Sequence, residues 1–276
     1  MSLIDFILNL AGLLLWLNWR AATLPPRTQP AVTLLSTIRP AGPPRTTVYH
    51  WVGLPILLLG RAVFYWQAGP PAGWSPHLAL GPTTLSFRSD MFGRMLLFSL
   101  VSFAAALWVC YLWLLALSCV NTRISDSDPA QRLVRAWLGG LEQWPAIIKL
   151  LLPLAASALG WWLLCLLLLH MNIVPSNNTG RWLAQGAVIG LSGYLTLKVL
   201  IITLLLLYLV NSYVYLGEFP LWNFVNATAR ALMRPLRWLP LRVGRIDLAP
   251  LVGILIVAGG AELARRGLVR LYWQLL

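Results

Sequence analysis

Eight Asp and Glu residues, three His and three Cys are the whole stock from which this 276-residue chain could build acid–base, metal or haem chemistry. Their spacing does not assemble any of these. No His-Glu-x-x-His, Gly-rich phosphate loop or nucleophile elbow occurs. Cys110, Cys119 and Cys165 show no Cys-x-x-Cys spacing and read as small apolar packing residues. His50 and His170 fall at opposite ends of apolar runs, nearly a bilayer apart, so one haem cannot take both; His77 and His170 share a side but have no supporting motif. The residue set predicts a non-enzymatic protein with no catalytic residues, no cofactor and no metal.

Four ionisable residues are conspicuous because they sit inside apolar stretches: Asp5, Arg61, Lys198 and Glu262. An uncompensated charge in such surroundings costs several kcal/mol, so it pairs or faces a wet cavity. The sharpest expectation is an ion pair between Lys198 and Glu262 on adjacent helices, joined by Arg61 and Asp5. The alternative is snorkelling to the headgroups, easy for Asp5 and Arg61 and harder for Lys198.

The elements that must position these charges are set by composition. The chain is 59% hydrophobic and 11% charged, outside the range of soluble domains. A bilayer core needs about 20 apolar residues per helix. Six runs qualify, at approximately 3–19, 47–66, 95–119, 147–170, 187–216 and 248–264. The second contains Pro55 and Arg61 but is flanked by aromatic residues at both ends, as at membrane interfaces; an interfacial or re-entrant segment is its alternative. The expected fold is an all-α membrane protein of about six transmembrane helices. These pair as an N-terminal hairpin (1–66), a central hairpin (95–170) and a C-terminal hairpin (187–276).

Orientation follows from the basic residues. Thirteen Lys and Arg fall in loops 20–46, 120–149 and 218–247, against six on the opposite side. That asymmetry predicts cytoplasmic placement of the three loops and extracytoplasmic termini. No Lys or Arg precedes the first apolar run, which therefore reads as a retained helix and not a cleaved signal. Most of the fifteen Trp fall near the run ends, so interface anchoring claims them and nucleic-acid binding is not expected.

Between the first two hairpins, 67–94 departs from helical texture. Residues 77–89 alternate apolar and polar about a Gly81-Pro82 break, which reads as a small extracytoplasmic β-hairpin or an irregular capping loop.

Residues 218–247 carry the richest pattern. On a helix from Leu221, the residues Val225, Ala229, Leu232, Leu236 and Leu239 line one face, and Asn223, Asn226, Arg230, Arg234 and Arg237 the other. Such a helix suits the inner membrane surface. Arg230, Arg234, Arg237, Arg242 and Arg245 would each gain about 1 kcal/mol from anionic headgroups. Pro235 should end or kink the helix near Ala231, Gly244 permits a turn, and Asp247 can cap a last helix opened by Pro250.

This segment resembles the signature of YggT family membrane proteins, through Pro220, Arg234-Pro235, Leu239-Pro240, Gly244, Ile246-Asp247-Leu248 and Pro250. Arg245 departs from the pattern, standing where the family usually has a small residue. The resemblance covers roughly 187–270 well and the first two runs hardly at all. It implies a non-enzymatic scaffold or assembly factor that organises another membrane complex. Its partners would be anionic lipid and another membrane protein or a second copy. Gly186, Gly190 and Gly193 offer a small-residue face for close helix approach. The rival expectation is a channel or osmotic-stress transport component with Lys198, Glu262 and Arg61 along a polar path.

Overall fold

The computed structural model describes residues 2–22, 47–71, 73–122, 129–170, 178–214, 220–236, 242–243 and 246–275. Arg237, Pro240, Gly244 and Arg245 of the basic segment lie outside the described residues. The chain is mostly helical and divides into two compact units: residues 1–78 with 85–107, and residues 79–84 with 108–276.

The first unit is built on α1 (Ser2–Ala22), α2 (Thr47–Ala68) and the first half of α3 (Phe92–Val120). Helix α1 has its acid, Asp5, in the first turn and its base, Arg20, in the last, both favourable to the helix dipole. It packs along α2. Gly12 lets α1 meet α3 closely: a Cβ there would stand 2.8 Å from the Phe103 ring. Tyr65, Phe87, Met95 and Phe98 form the unit's aromatic core, with Leu8 and Trp74 packed on it.

Strands β1 (His77–Leu80) and β2 (Thr83–Ser86) form the expected two-stranded hairpin. Its turn holds Gly81 at φ +62°, a left-handed conformation that favours glycine. Burial alternates along both strands, as a half-buried ribbon requires.

The second unit continues α3 from Trp108 and adds α4 (Pro129–Leu138), a 3-10 turn (Gly139–Gln143), α5 (Ala146–His170), α6 (Thr179–Tyr194), α7 (Leu197–Tyr213), α8 (Pro220–Leu232) and α9 (Ala249–Leu275). Between α8 and α9, β3 (Arg242–Val243) pairs antiparallel with β4 (Ile246–Asp247), Arg242 opposite Asp247 and Val243 opposite Ile246. This small ribbon brackets the turn expected at Gly244 and leads into the last helix.

Among the described residues, four helical stretches are long and apolar enough to cross a membrane: Leu3–Arg20, Phe92–Val120, Ala146–His170 and Thr179–Tyr213. Two of the six expected spans are not among these four. Val52–Ala68 is a shorter apolar helix. Helix α9 runs on to Leu275, eleven residues past the expected end at 264, and carries Glu262, Arg265, Arg266 and Arg270.

The fifth expected span, 187–216, is corrected more deeply. Its helix starts at Thr179, where the Asn178 side chain accepts from the Gly180 N–H at 3.2 Å as an N-cap. It is then interrupted at Leu195–Thr196. Through the interruption the backbone bonds shorten to i→i−3, with Leu195 N–H on Ser192 O, Thr196 on Gly193, Lys198 on Leu195 and Val199 on Thr196. Ser192 and Thr196 hydroxyls also donate to carbonyls three residues back, at 2.6 and 2.7 Å, and so compete with the regular ladder. Apolar composition alone does not register such a break.

Candidate functional site

The exposed Arg230 of α8 and Arg234 of the turn after it are presented by a segment whose other face is consumed inside the protein. Proline opens α8, where its missing N–H costs nothing, and the helix ends at Leu232 ahead of a 3-10 turn (Arg234–Leu236) that accommodates Pro235. Phe224 joins Leu114 and Leu115 of α3 and Val134 and Leu138 of α4 in one core. Ala229 and Met233 join Leu205 of α7, with Ile201, Tyr208 and Ile254 against them. The apolar stripe therefore lies against protein helices, where the sequence alone placed it against lipid. Arg230 and Arg234 are exposed, and Pro250, in the first turn of α9, is fully buried.

A polar bolt crosses this packing. The Asn121 amide donates to Thr228 Oγ1 at 2.9 Å, and the Thr228 hydroxyl donates to the Phe224 carbonyl at 2.7 Å; both residues are buried. Nearby in sequence to Asn121, Ser118 accepts from the buried Lys149 ammonium at 3.0 Å. Neither Asn121 nor Thr228 stands out in the sequence. The only hint is that Thr228 falls one turn from Phe224, on the apolar stripe.

The four charges expected to gather are separated into different settings. Arg61, 3% exposed, lies in the first unit with Asp5: its Nη2 meets Asp5 Oδ1 at 2.8 Å. The guanidinium also donates to Asn9 Oδ1 at 2.7 Å and Ser102 Oγ at 2.9 Å, while Tyr65 donates its hydroxyl to Asp5 at 2.5 Å. Asn9 closes the ring by donating to Ser102 at 3.0 Å. The Tyr65 and Phe98 rings stand 5.5 and 5.3 Å from the guanidinium carbon, within cation–π range. Arg61 thus does not snorkel; it is held by α1, its own helix α2 and α3.

Lys198 and Glu262 belong to the second unit, and the expected pair between them is corrected. The Glu262 carboxylate instead accepts from Arg265 at 2.8 Å and Arg266 at 3.1 Å, at i+3 and i+4 of its own helix. Those spacings place the partners on the same helical face with no chain closure to achieve, so the local pair wins. Among the described residues Lys198 has no ion pair. It lines a cavity of about 290 Å³ at the α6–α7 interruption, bounded also by Gly81, Pro82, Thr196, Arg265 and Val269.

The small-residue face of α6 is likewise already taken. A Cβ on Gly186 would stand 2.8 Å from Ala158 Cα and 2.9 Å from its carbonyl oxygen; on Gly190 it would overlap the Ser157 hydroxyl, and on Gly193 the Trp108 ring. The face expected to receive a partner instead admits α5 and α3. Gln185, also buried, accepts from Trp161 Nε1 at 3.5 Å and donates to the Leu275 carbonyl at 3.1 Å, tying α5, α6 and the end of α9.

The interrupted helix, the packed amphipathic helix and the following ribbon and helix coincide with one region of likeness: residues 188–270 match the CCB3/YggT family model. This is a YggT-family domain. No curated protein and no solved structure matches the chain. Within the YggT domain, Pro220 and Pro250 open α8 and α9, Pro235 sits in the 3-10 turn, and Asp247 lies in β4 opposite Arg242. The YggT signature therefore marks helix beginnings and turns. It specifies how a basic, Pro-punctuated connection folds back between α7 and α9, and the exposed Arg230 and Arg234 are what that connection presents.

Proposed function

We propose that this YggT-family membrane protein is a non-enzymatic scaffold that organises or assembles another membrane complex, held by its basic segment at the cytoplasmic face of a bacterial inner membrane. The observation that carries this reading is the division of labour along α8 and the turn that follows it. Phe224, Val225, Ala229 and Met233 are buried within the chain, while Arg230 of the helix and Arg234 of the turn are exposed. A segment fixed by internal packing presents these two arginines as a rigid surface, suited to anionic headgroups and to an acidic partner surface. In this proposal α2 and α9 complete six spans with the four longer stretches, and both termini are extracytoplasmic. Arg237, Arg242 and Arg245 add three more cations to the same segment in sequence.

The test is crosslinking and affinity purification of the full chain from native membranes, with Arg230 and Arg234 replaced together by Gln in a second strain. Recovery of one stable membrane partner that is lost in the double variant supports the scaffold. A protein recovered alone from both strains counts against it.

The interruption of the helix at Leu195–Thr196 supports a second reading, a channel or osmotic-stress transport component, because broken helices recur where membrane proteins bind ions. Ion flux in liposomes holding only this protein would favour it over the scaffold.

A further inference from the structure

The cavity at the helix interruption has an electrostatic requirement that no described residue meets. Among the described residues its lining contains two cations, Lys198 and Arg265, and no carboxylate. Arg265 has a partner, because Glu262 holds both it and Arg266. Lys198 has none among the described residues, and its backbone is fixed at the start of α7 by the bond from its N–H to the Leu195 carbonyl at 3.2 Å. A partly buried ammonium on an apolar helix is rare unless something outside the local packing compensates it.

The rest of the wall limits what that something is. Leu195, Val199, Leu268, Val269 and Pro82 make most of the surface apolar. One boundary is held tightly: a Cβ on Gly81 would overlap the Ser192 hydroxyl, so the hairpin turn sits directly on α6. The cavity, at about 290 Å³, is near the lower end of small-ligand sites. It has room for an anionic group and a short apolar portion, not for a whole two-chain lipid.

We propose that this cavity is an anion-binding site for the phosphate group of an amphiphile, with Lys198 as the principal contact, Arg265 as the second cation, and the apolar wall receiving the adjoining hydrocarbon. The helix interruption is what makes the site possible. It turns Lys198 and Thr196 to the cavity that a continuous helix from Thr179 to Tyr213 would leave to hydrocarbon neighbours.

Calorimetric titration of the purified full chain in a nonionic detergent tests this with two ligands, dioctanoyl phosphatidic acid and inorganic phosphate, and dioctanoyl phosphatidylcholine as control. The wild type should bind phosphatidic acid, and K198M should bind it about tenfold or more weakly, with K198R retaining most of the affinity, as expected when a charge-assisted contact is removed or kept. V269W leaves both cations in place but fills the cavity, and should also weaken binding. Phosphatidic acid bound without inorganic phosphate assigns the site to a lipid. Inorganic phosphate bound with the same dependence on Lys198 keeps the anion site and assigns a soluble ligand. Binding of phosphatidic acid that is equal in the wild type, K198M and V269W, or no binding of either phosphate ligand, overturns the proposal. Because the readout is ligand binding and not partner recovery, its outcome is independent of the scaffold reading.

Discussion

Arg61 and Lys198 are both single cations within apolar helices, yet they are treated oppositely. In the first unit Arg61 is enclosed: Asp5, Asn9 and Ser102 take its protons, and Tyr65 and Phe98 cover its faces. In the second unit Lys198 faces a cavity, and the acid that could have met it is held by arginines of its own helix. The lesson concerns what an intramembrane charge is for. A cation whose two terminal nitrogens are both held by buried partners within the chain is a structural fastener, because removing it orphans the groups around it. A cation left facing space is available, and its removal should cost the fold little.

That distinction can be tested by substitution. R61M should be the most damaging change, since it leaves the Asp5 carboxylate, the Asn9 amide and the Ser102 hydroxyl without their common donor. A loss of about 3–5 kcal/mol is expected, read as a fall in the denaturant midpoint of the purified chain in detergent. The double variant D5L with R61M should recover part of this, because it removes the stranded charge. A double variant no better than R61M would show that the ion pair is not what holds the three helices.

Gly186→Val comes next. Its new Cβ would meet α5 backbone at Ala158, which cannot swing aside as a side chain can, so a loss of about 1–3 kcal/mol is expected in the same unfolding measurement. Gly260→Ala is the matched control, since a Cβ there meets nothing within 4 Å, and its midpoint should be unchanged or slightly raised. If both glycines tolerated substitution equally, close packing of α5 on α6 would not be the support of the second unit.

Thr228→Val keeps the shape and removes the acceptor of the buried Asn121 amide, for an expected cost of about 1–2 kcal/mol. Changing Asn121 to Leu in the same chain should return some of it. Smallest of all should be K198M, within about 0.5 kcal/mol of the wild type, the usual range for a change that strands no partner. A loss as large as that of R61M would mean that Lys198 is a fastener too, and the two cations would no longer differ in kind.

Much of this protein could be read from residue order alone. Apolar runs of membrane length, basic connections, the turn at Gly81-Pro82 and the Pro-punctuated signature from Pro220 to Pro250 follow from local chemistry: helix length, ring constraint and glycine's access to left-handed backbone. Each depends on neighbours a few residues away, so the chain declares it without folding. Pairing does not work that way. Nothing in the spacing says that Arg61 closes on Asp5, Asn9 and Ser102 across three helices, that Glu262 turns to Arg265 and Arg266, or that Gly186 and Gly190 admit α5 and not a second protein. The break at Leu195–Thr196 is equally hidden, since Ser and Thr also occur within continuous helices and nothing in residue order says that the Ser192 and Thr196 hydroxyls turn to carbonyls three residues back. Those outcomes depend on which distant groups arrive first within hydrogen-bonding or van der Waals reach, and only the packed structure fixes that geometry.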